Sequence, residues 1–262
     1  MPSSNSLLPV RVENLELRYG ETLVQRGLTF TINPGDIFIV MGGSGCGKST
    51  LLKHLIGLMR PTAGRVCYGA TDFWAADEEV RQRLMRGMGV LYQQGALWSS
   101  MTVSENVALP LEIYTGLDPA TVREVVAGKL ALVGLSGCES LYPAQLSGGM
   151  RKRAALARAM ALDPEILLFD EPSAGLDPVS ARMLDDLIRE LRDSLNATVV
   201  VVTHVLDSIF AIGTNSIFLD DESRTMIASG DPRWLRDHAE SLKVRHFLTC
   251  QEPAAPQAGA VK

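Results

Sequence analysis

Gly42-Gly43-Ser44-Gly45-Cys46-Gly47-Lys48-Ser49 satisfies the pattern G-x-x-x-x-G-K-[ST] at every position, and few stretches of this length constrain a fold as strongly. The apolar run Ile37 to Met41 precedes it and Thr50 to Ile56 follows. The spacing therefore predicts a loop between a buried strand and a helix, which is the context the motif requires. Glycines allow the backbone to wrap closely around a polyphosphate, with N–H groups pointing inward at the positive end of a helix. Lys48 is placed to reach the β- and γ-phosphates and the Ser49 hydroxyl to ligate Mg²⁺. A nucleoside triphosphate is the expected ligand.

Downstream, Glu165 to Asp170 reads as a continuous apolar strand with an acidic end, as expected of a parallel strand covered on both faces. Asp170, on a strand neighbouring the loop, is predicted to hold Mg²⁺ directly or through water. Glu171 is then placed to polarise a water in line with the γ-phosphate. Leu146-Ser147-Gly148-Gly149-Met150 opens another helix. Its serine and glycines suit capping, and they also make a second anion site at a helix start. His204, just past the run Val199 to Val202, is within sequence reach of a γ-phosphate contact.

Read in order, Val10 to Tyr19 and Leu28 to Ile32 alternate apolar and polar residues, predicting an antiparallel sheet ahead of the loop. Arg65 to Tyr68 and Gly89 to Tyr92 read as short strands and Glu78 to Arg86 as a helix. From Val103 to Leu162 the period is helical, with helices over Val103 to Leu111, Pro119 to Val133 and Gly149 to Leu162. This block predicts a separate helical lobe, about residues 94–162. Strand and helix then alternate: helix Pro178 to Leu195, strand Thr198 to Val202, helix Leu206 to Ile212, strands Ser216 to Leu219 and Arg224 to Ala228. Two short helices are expected near Pro232 to Arg236 and Ser241 to Leu248. One domain over residues 1–250 is expected, with residues 251–262, rich in Ala, Pro and Gly, as a loose tail.

Composition removes several classes. With 25 basic against 30 acidic residues the formal net charge is −5, so no basic field advertises nucleic acid. The run Arg151-Lys152-Arg153 reads as a helix face. Cys46, Cys67, Cys138 and Cys250 show no C-x-x-C spacing, which argues against a zinc ribbon, an iron–sulfur site or a disulfide framework. Cys46 carries two readings, a thiol whose pKa the helix end lowers and a small spacer. Met1 to Pro9 lacks a positive leader and a long apolar core, and the longest apolar runs are strand-sized, so neither a secretory signal nor a membrane span is expected.

Tyr19, the loop Gly42 to Ser49, Gln93, Leu146 to Gly149, Asp170-Glu171, Ser173 to Asp177 and His204 stand in an order that resembles an ATP-binding cassette (ABC) ATPase, from about Val10 to Ser229. One departure is Met150, where the commonest family pattern has Gln. The resemblance implies an α/β fold: a P-loop NTPase (RecA-like) parallel-sheet core, an N-terminal antiparallel β subdomain and an inserted α-helical subdomain. It further implies that Tyr19 stacks on adenine, that Gly42, Gly43, Ser44, Gly45, Cys46, Gly47, Lys48, Ser49 and Thr50 bind ATP, and that Ser49, Gln93 and Asp170 hold Mg²⁺. By the same resemblance Glu171 is the catalytic carboxylate, His204 the switch histidine, and Gln93 the link to a partner-facing lobe. Ser147, Gly148 and Gly149 would act on the ATP of a second subunit, with Asp177 at the interface of a homodimer.

A narrower resemblance is to the ATPases of Mce-associated lipid transporters of the Mla type. It is carried by Tyr92-Gln93-Gln94-Gly95-Ala96-Leu97-Trp98, by Thr102 to Leu111, by the Met of LSGGM and by Val244-Arg245-His246-Phe247-Leu248. This implies phospholipid transport between inner and outer membranes, maintaining outer-membrane lipid asymmetry. The implied setting is the cytoplasmic face of the inner membrane, with integral permease subunits and a periplasmic Mce-domain lipid-binding protein, and room for a small cytoplasmic regulatory subunit. The alternatives are the ATPase of a solute importer, such as one for amino acids, and a non-transport cytosolic ABC protein such as a scaffold for iron–sulfur assembly.

Overall fold

The structure, a computed structural model, describes residues 8–250; the expected tail at 251–262 lies outside them. β1 (Val10–Tyr19) and β2 (Thr22–Ile32) form an antiparallel hairpin, with Val10 opposite Ile32 and Tyr19 opposite Thr22. β2 begins earlier than the predicted Leu28. Register shifts around Leu15 and Leu17 break the two-residue period there, and the alternation that reveals a strand is lost with it. β3 (Ile37–Gly42) leads through the glycine loop into α1 (Lys48–Ile56). β4 (Ala63–Tyr68) returns to pair antiparallel with β1, and β5 (Thr71–Asp72) completes a four-stranded sheet in the order β2-β1-β4-β5.

α2 (Glu78–Arg86) starts on Asp77, whose carboxylate accepts from the Val80 N–H at 2.8 Å, and runs to β6 (Met88–Leu91). α3 (Val103–Tyr114), α4 (Pro119–Leu132) and α5 (Gly148–Ala159) each begin on a capping side chain, Thr102, Asp118 and Ser147 respectively. α3 continues through Pro110 to Tyr114, beyond the predicted Leu111. Then come β7 (Ile166–Asp170), α6 (Pro178–Leu195), β8 (Thr198–Val202), α7 (Leu206–Ile212), β9 (Asn215–Asp220), β10 (Thr225–Gly230), α8 (Pro232–His238) and α9 (Leu242–Thr249).

The second sheet has the order β10-β9-β3-β8-β7-β6, parallel throughout except for the antiparallel β10 edge. The strand carrying Asp170 does not neighbour the strand before the glycine loop, because β8 lies between β7 and β3. The crossover through α6 sets β8 beside β7, and β8 then pairs with β3. Asp170 nonetheless reaches the loop from one strand further away.

Side-chain alternation in the parallel strands sorts the core into two layers. Ile37, Ile39 and Met41 face one side of β3, while Phe38 and Val40 face the other; Leu167 and Phe169 oppose Ile166 and Leu168 on β7 in the same way. The antiparallel sheet and α1 cover the second face. Residues of α3 to α9 cover the first, in one continuous apolar cluster that includes Val107, Leu130, Leu156, Ile188 and Val244. The helical block thus shares its core with the sheet. Each fully buried valine or phenylalanine there contributes about 1.5–3 kcal/mol relative to an exposed one, so the carboxyl ends of β3, β7 and β8 sit on a rigid platform.

Candidate functional site

Gly42 and Gly47 have no freedom to be anything else. Gly42 has φ 145°, and a Cβ on it would lie 2.3 Å from the Leu219 carbonyl oxygen of β9. Gly47 has φ 101°, and its Cβ would lie 2.5 Å from Val24 Cγ1. The loop is therefore wedged between β9 and β2 with its backbone pressed close to both. Gly47 is also the N-cap of α1, with no side-chain cap, so the first N–H groups of that helix are left for another acceptor. Lys48 is buried and folds back, donating through Nζ to the Gly42 carbonyl at 2.9 Å and the Gly43 carbonyl at 2.8 Å.

A residue that the sequence reading passed over holds the loop from behind. Gln25 of β2 is fully buried and donates through Nε2 to the Cys46 carbonyl (2.7 Å) and the Asp220 carbonyl (2.9 Å). The one available signal was an amide on the inward face of a strand. Gln25→Leu strands two buried acceptors and should cost about 1–3 kcal/mol of stability. The urea midpoint measures that loss, and an unchanged midpoint rejects the tie. Cys46 is buried, and burial pushes its thiol up against the opposing pull of Lys48. The helix end does not make it a low-pKa thiol, so the spacer reading holds.

Across the cleft, Ser49 donates through Oγ to Asp170 Oδ1 at 2.9 Å. Burial raises the Asp170 carboxyl above its ordinary value, with the Ser49 hydroxyl opposing. Glu171 follows with φ 49°, a left-handed conformation that costs a β-carbon residue about 1–2 kcal/mol. Its amide is held by the Val202 carbonyl (2.8 Å), and its own carbonyl accepts from Lys152 Nζ of α5 (3.1 Å). His204 donates through Nδ1 to Glu171 Oε1 at 2.8 Å, while Glu171 Oε2 is buried without a hydrogen-bond partner. Gly42 to Gly45, Gly47 to Thr50, Gln93, Glu171 and His204 line one cleft of about 570 Å³, with Phe247 of α9 at its edge.

Lys152 corrects the reading of the basic run as a helix face. Lys152 is buried, and burial lowers its pKa against the attraction of Glu171 and Asp170. Arg151 donates to the Leu146 carbonyl (2.6 Å) and Arg153 to the Val133 carbonyl (3.0 Å). Lys152 alone is turned into the interior; Arg151 stays exposed and Arg153 half-buried while each donates to a backbone carbonyl.

Tyr19 borders the cleft next to Thr50 without lining it, and the serine–glycine stretch stands apart from it. Tyr19 is 47% exposed beside α1, where Lys53 Nζ donates to its hydroxyl at 3.3 Å. A hydrogen bond with Thr50, followed by Lys53, lowers its pKa. Ser147 is exposed and caps α5 by accepting from the Met150 N–H at 3.2 Å, with Gly148 and Gly149 behind it. Ser147 and Gly149 border a separate small hollow with Leu176, Ser180 and Met183. Asp177 caps α6 nearby, accepting from the Val179 and Ser180 N–H groups at 3.0 Å each. One copy of the chain thus presents the glycine loop and the serine–glycine stretch to different parts of its surface.

The chemistry of the cleft suits a triphosphate with Mg²⁺. Uncapped helix N–H groups and Lys48 supply positive charge, and Ser49, Asp170 and Gln93 supply hard oxygen atoms. No group of three or more His, Cys, Asp or Glu stands ready for a metal among the described residues. That fits Mg²⁺, which takes one or two protein carboxylates and completes its shell with phosphate and water. Glu171, whose Oε2 is buried without a partner, lines the same cleft.

Comparison with known proteins points the same way. The profile of the ABC transporter family matches residues 25–174. The probable ribonucleotide transport ATP-binding protein Mkl of Mycobacterium tuberculosis H37Rv is 38% identical over 91% of this chain, which spans 66% of that relative's length. The intermembrane phospholipid transport system ATP-binding protein MlaF of Haemophilus influenzae is 36% identical over 91% of this chain and 89% of its own. Among solved structures, the dimeric ATP-binding cassette MJ0796 bound to ADP and Pi superposes with a TM-score of 0.76 at 30% identity, over 84% of this chain and 97% of that one. CbiO1 of Clostridium perfringens, part of the cbiONQ ABC transporter complex, gives 0.78 at 26% identity, over 86% and 89%.

Proposed function

The chain belongs to the ABC transporter family of ATP-binding proteins, and from that premise we propose that it hydrolyses ATP to power phospholipid movement between two membranes. ATP hydrolysis coupled to transport is the activity of its relatives. The observation that carries the catalytic assignment is the Glu171 carboxylate. It is held by His204 on one oxygen and buried without a partner on the other, and its residue lines the cleft bounded by the glycine loop. In this reading Glu171 takes the proton of the attacking water and His204 orients the carboxylate. Lys48 and the loop N–H groups hold the phosphates, Thr50 borders them, and Tyr19 stacks on the adenine. Mg²⁺, held by Ser49, Gln93 and Asp170, neutralises charge on the phosphates.

The separation of Ser147 to Gly149 from the cleft supports a homodimer in which each copy completes the other's site. Asp177 then lies at the interface, next to the exposed Val179 and Met183. A dimeric relative bound to ADP and Pi lends weight to this arrangement. No helix among the described residues is long and apolar enough to cross a membrane, so attachment to the inner face of the membrane would come through permease subunits. A periplasmic Mce-domain protein and a small regulatory subunit complete the proposed assembly.

Lipid is favoured because MlaF is named for phospholipid transport and this chain spans nearly all of it. The name of Mkl, ribonucleotide transport, sustains a second reading, a solute transporter. Affinity purification of the tagged chain from detergent-solubilised membranes separates the two. The expected result is a polytopic permease with bound phospholipid, identified by mass spectrometry. A permease carrying nucleotide or amino acid instead of lipid favours the second reading, and recovery of the chain without any membrane protein rejects both.

A further inference from the structure

α6, α7 and the segment after Glu171 meet around three buried polar side chains that stand behind the cleft. Asp185 of α6 is 4% exposed, Ser208 of α7 2% and Ser173 4%. Ser208 donates through Oγ to Asp185 Oδ2 at 2.8 Å, and the Ser208 and Ser173 hydroxyl oxygens are 3.3 Å apart. Asp185 Oδ1 is buried with no hydrogen-bond partner among the described residues. Packing alone does not call for this trio. A buried carboxylate with one bare oxygen destabilises, and a leucine against an alanine would join the same two helices without that cost.

The position of the trio gives it a use. Ser173 comes two residues after Glu171, and Ser208 comes four after His204. The two segments are therefore bridged twice: at the front by His204 and Glu171 at 2.8 Å, and behind by Ser208 and Ser173 at 3.3 Å. Asp185 anchors the rear bridge to α6, the helix that Asp177 caps. A short stretch of chain on each side lies between the two bridges, so a shift of α7 against α6 changes the front contact directly.

We propose that Asp185, acting through Ser208 and Ser173, is a positioning residue that sets the register of Glu171 against His204. This rests on the assignment of those two residues to ATP hydrolysis. The direction of the bridge depends on the Asp185 proton. An ionised Asp185 accepts from Ser208, leaving Ser208 to accept from Ser173. A protonated Asp185 donates to Ser208, Ser208 then donates to Ser173, and the Ser173 hydroxyl is turned toward other acceptors. Burial pushes the Asp185 carboxyl up to about 6; the Ser208 hydrogen bond and Arg189 oppose this, and Asp186 on α6 and Asp207 on α7 add to it. Arg182 of α6 and His204 line one hollow together with Asp185, Ser208 and Ser173. The reversal thus falls near pH 6.

The test uses the full-length chain with Asp185→Leu combined with Ser208→Ala, a pair that fills the space without polar atoms, and separately Asp185→Asn. The paired variant should keep its ATP KM while kcat falls about ten- to a hundredfold, the scale expected when a reacting group is misplaced. Nitrogen NMR of the nucleotide-free chain should show the His204 ring resonances displaced. Asp185→Asn should change the pH dependence of kcat between about pH 5 and 7, because one group that titrates there is gone. Wild-type kcat together with unmoved His204 resonances in the paired variant overturns the proposal. Should that variant fail to fold, an unchanged pH profile in Asp185→Asn overturns it equally. A wild-type chain that neither binds nor hydrolyses ATP rejects the assignment of the cleft instead, and the His204 resonances still decide the positioning role.

Discussion

Glu171→Gln is expected to lower ATP turnover by about two to four orders of magnitude, the usual contribution of a positioned general base, while leaving ATP affinity within a few-fold of wild type. The substitution keeps the shape of the side chain and removes its capacity to take a proton. What shapes the residue is untouched. The amide still donates to the Val202 carbonyl, the Glu171 carbonyl still accepts from Lys152, and the left-handed backbone persists. Thermal stability should therefore stay close to wild type. With hydrolysis blocked, bound ATP should hold two copies together, and size-exclusion chromatography in ATP and Mg²⁺ should show a stable dimer. Phosphate release at the wild-type rate rejects Glu171 as the base. Loss of turnover without a dimer retains the base and removes the composite site.

Lys48→Ala is the second large effect. A hydrogen bond to a charged group is worth about 1.5–3 kcal/mol, or roughly ten- to a hundredfold in affinity. The Lys48 ammonium lies against the Gly42 and Gly43 carbonyls and must swing from them to the phosphates. The loop keeps its shape without the lysine, since Gly42 is wedged against Leu219 and Gln25 grips the Cys46 carbonyl. The loss should thus appear in nucleotide affinity, measured by equilibrium titration of a fluorescent ATP analogue, with little change in melting temperature. Unchanged affinity rejects the role of Lys48, and a collapse in stability shows that its two carbonyl contacts hold the loop.

The helices were legible wherever a cap and a period coincided. Asp177 with Pro178 marks the start of α6, and its capping bonds to Val179 and Ser180 are there in the fold. α2, α7 and β8 also run over their predicted residues, because their signals are local. Gln25, Lys152 and the Asp185 trio left no comparable trace. Their roles come from partners far along the chain: Gln25 and Asp220 are 195 residues apart, Lys152 and Glu171 19, and Asp185 and Ser208 23. A polar residue on a strand or helix looks the same in sequence whether it meets water or a buried carbonyl.

By itself the sequence determined the glycine loop, its strand and helix, the acidic strand end and the expectation of a nucleotide. Each is written in a few contiguous residues whose backbone conformation or charge the chemistry demands. Only the tertiary structure decided that β8 separates β7 from β3, that Ser49 still meets Asp170 across 121 residues, and that Glu171 leans on His204. It also decided that the loop and Ser147 to Gly149 face different hollows of one copy. These are facts of strand order and burial, set by the packing of both sheet faces at once, and no local stretch of sequence encodes them.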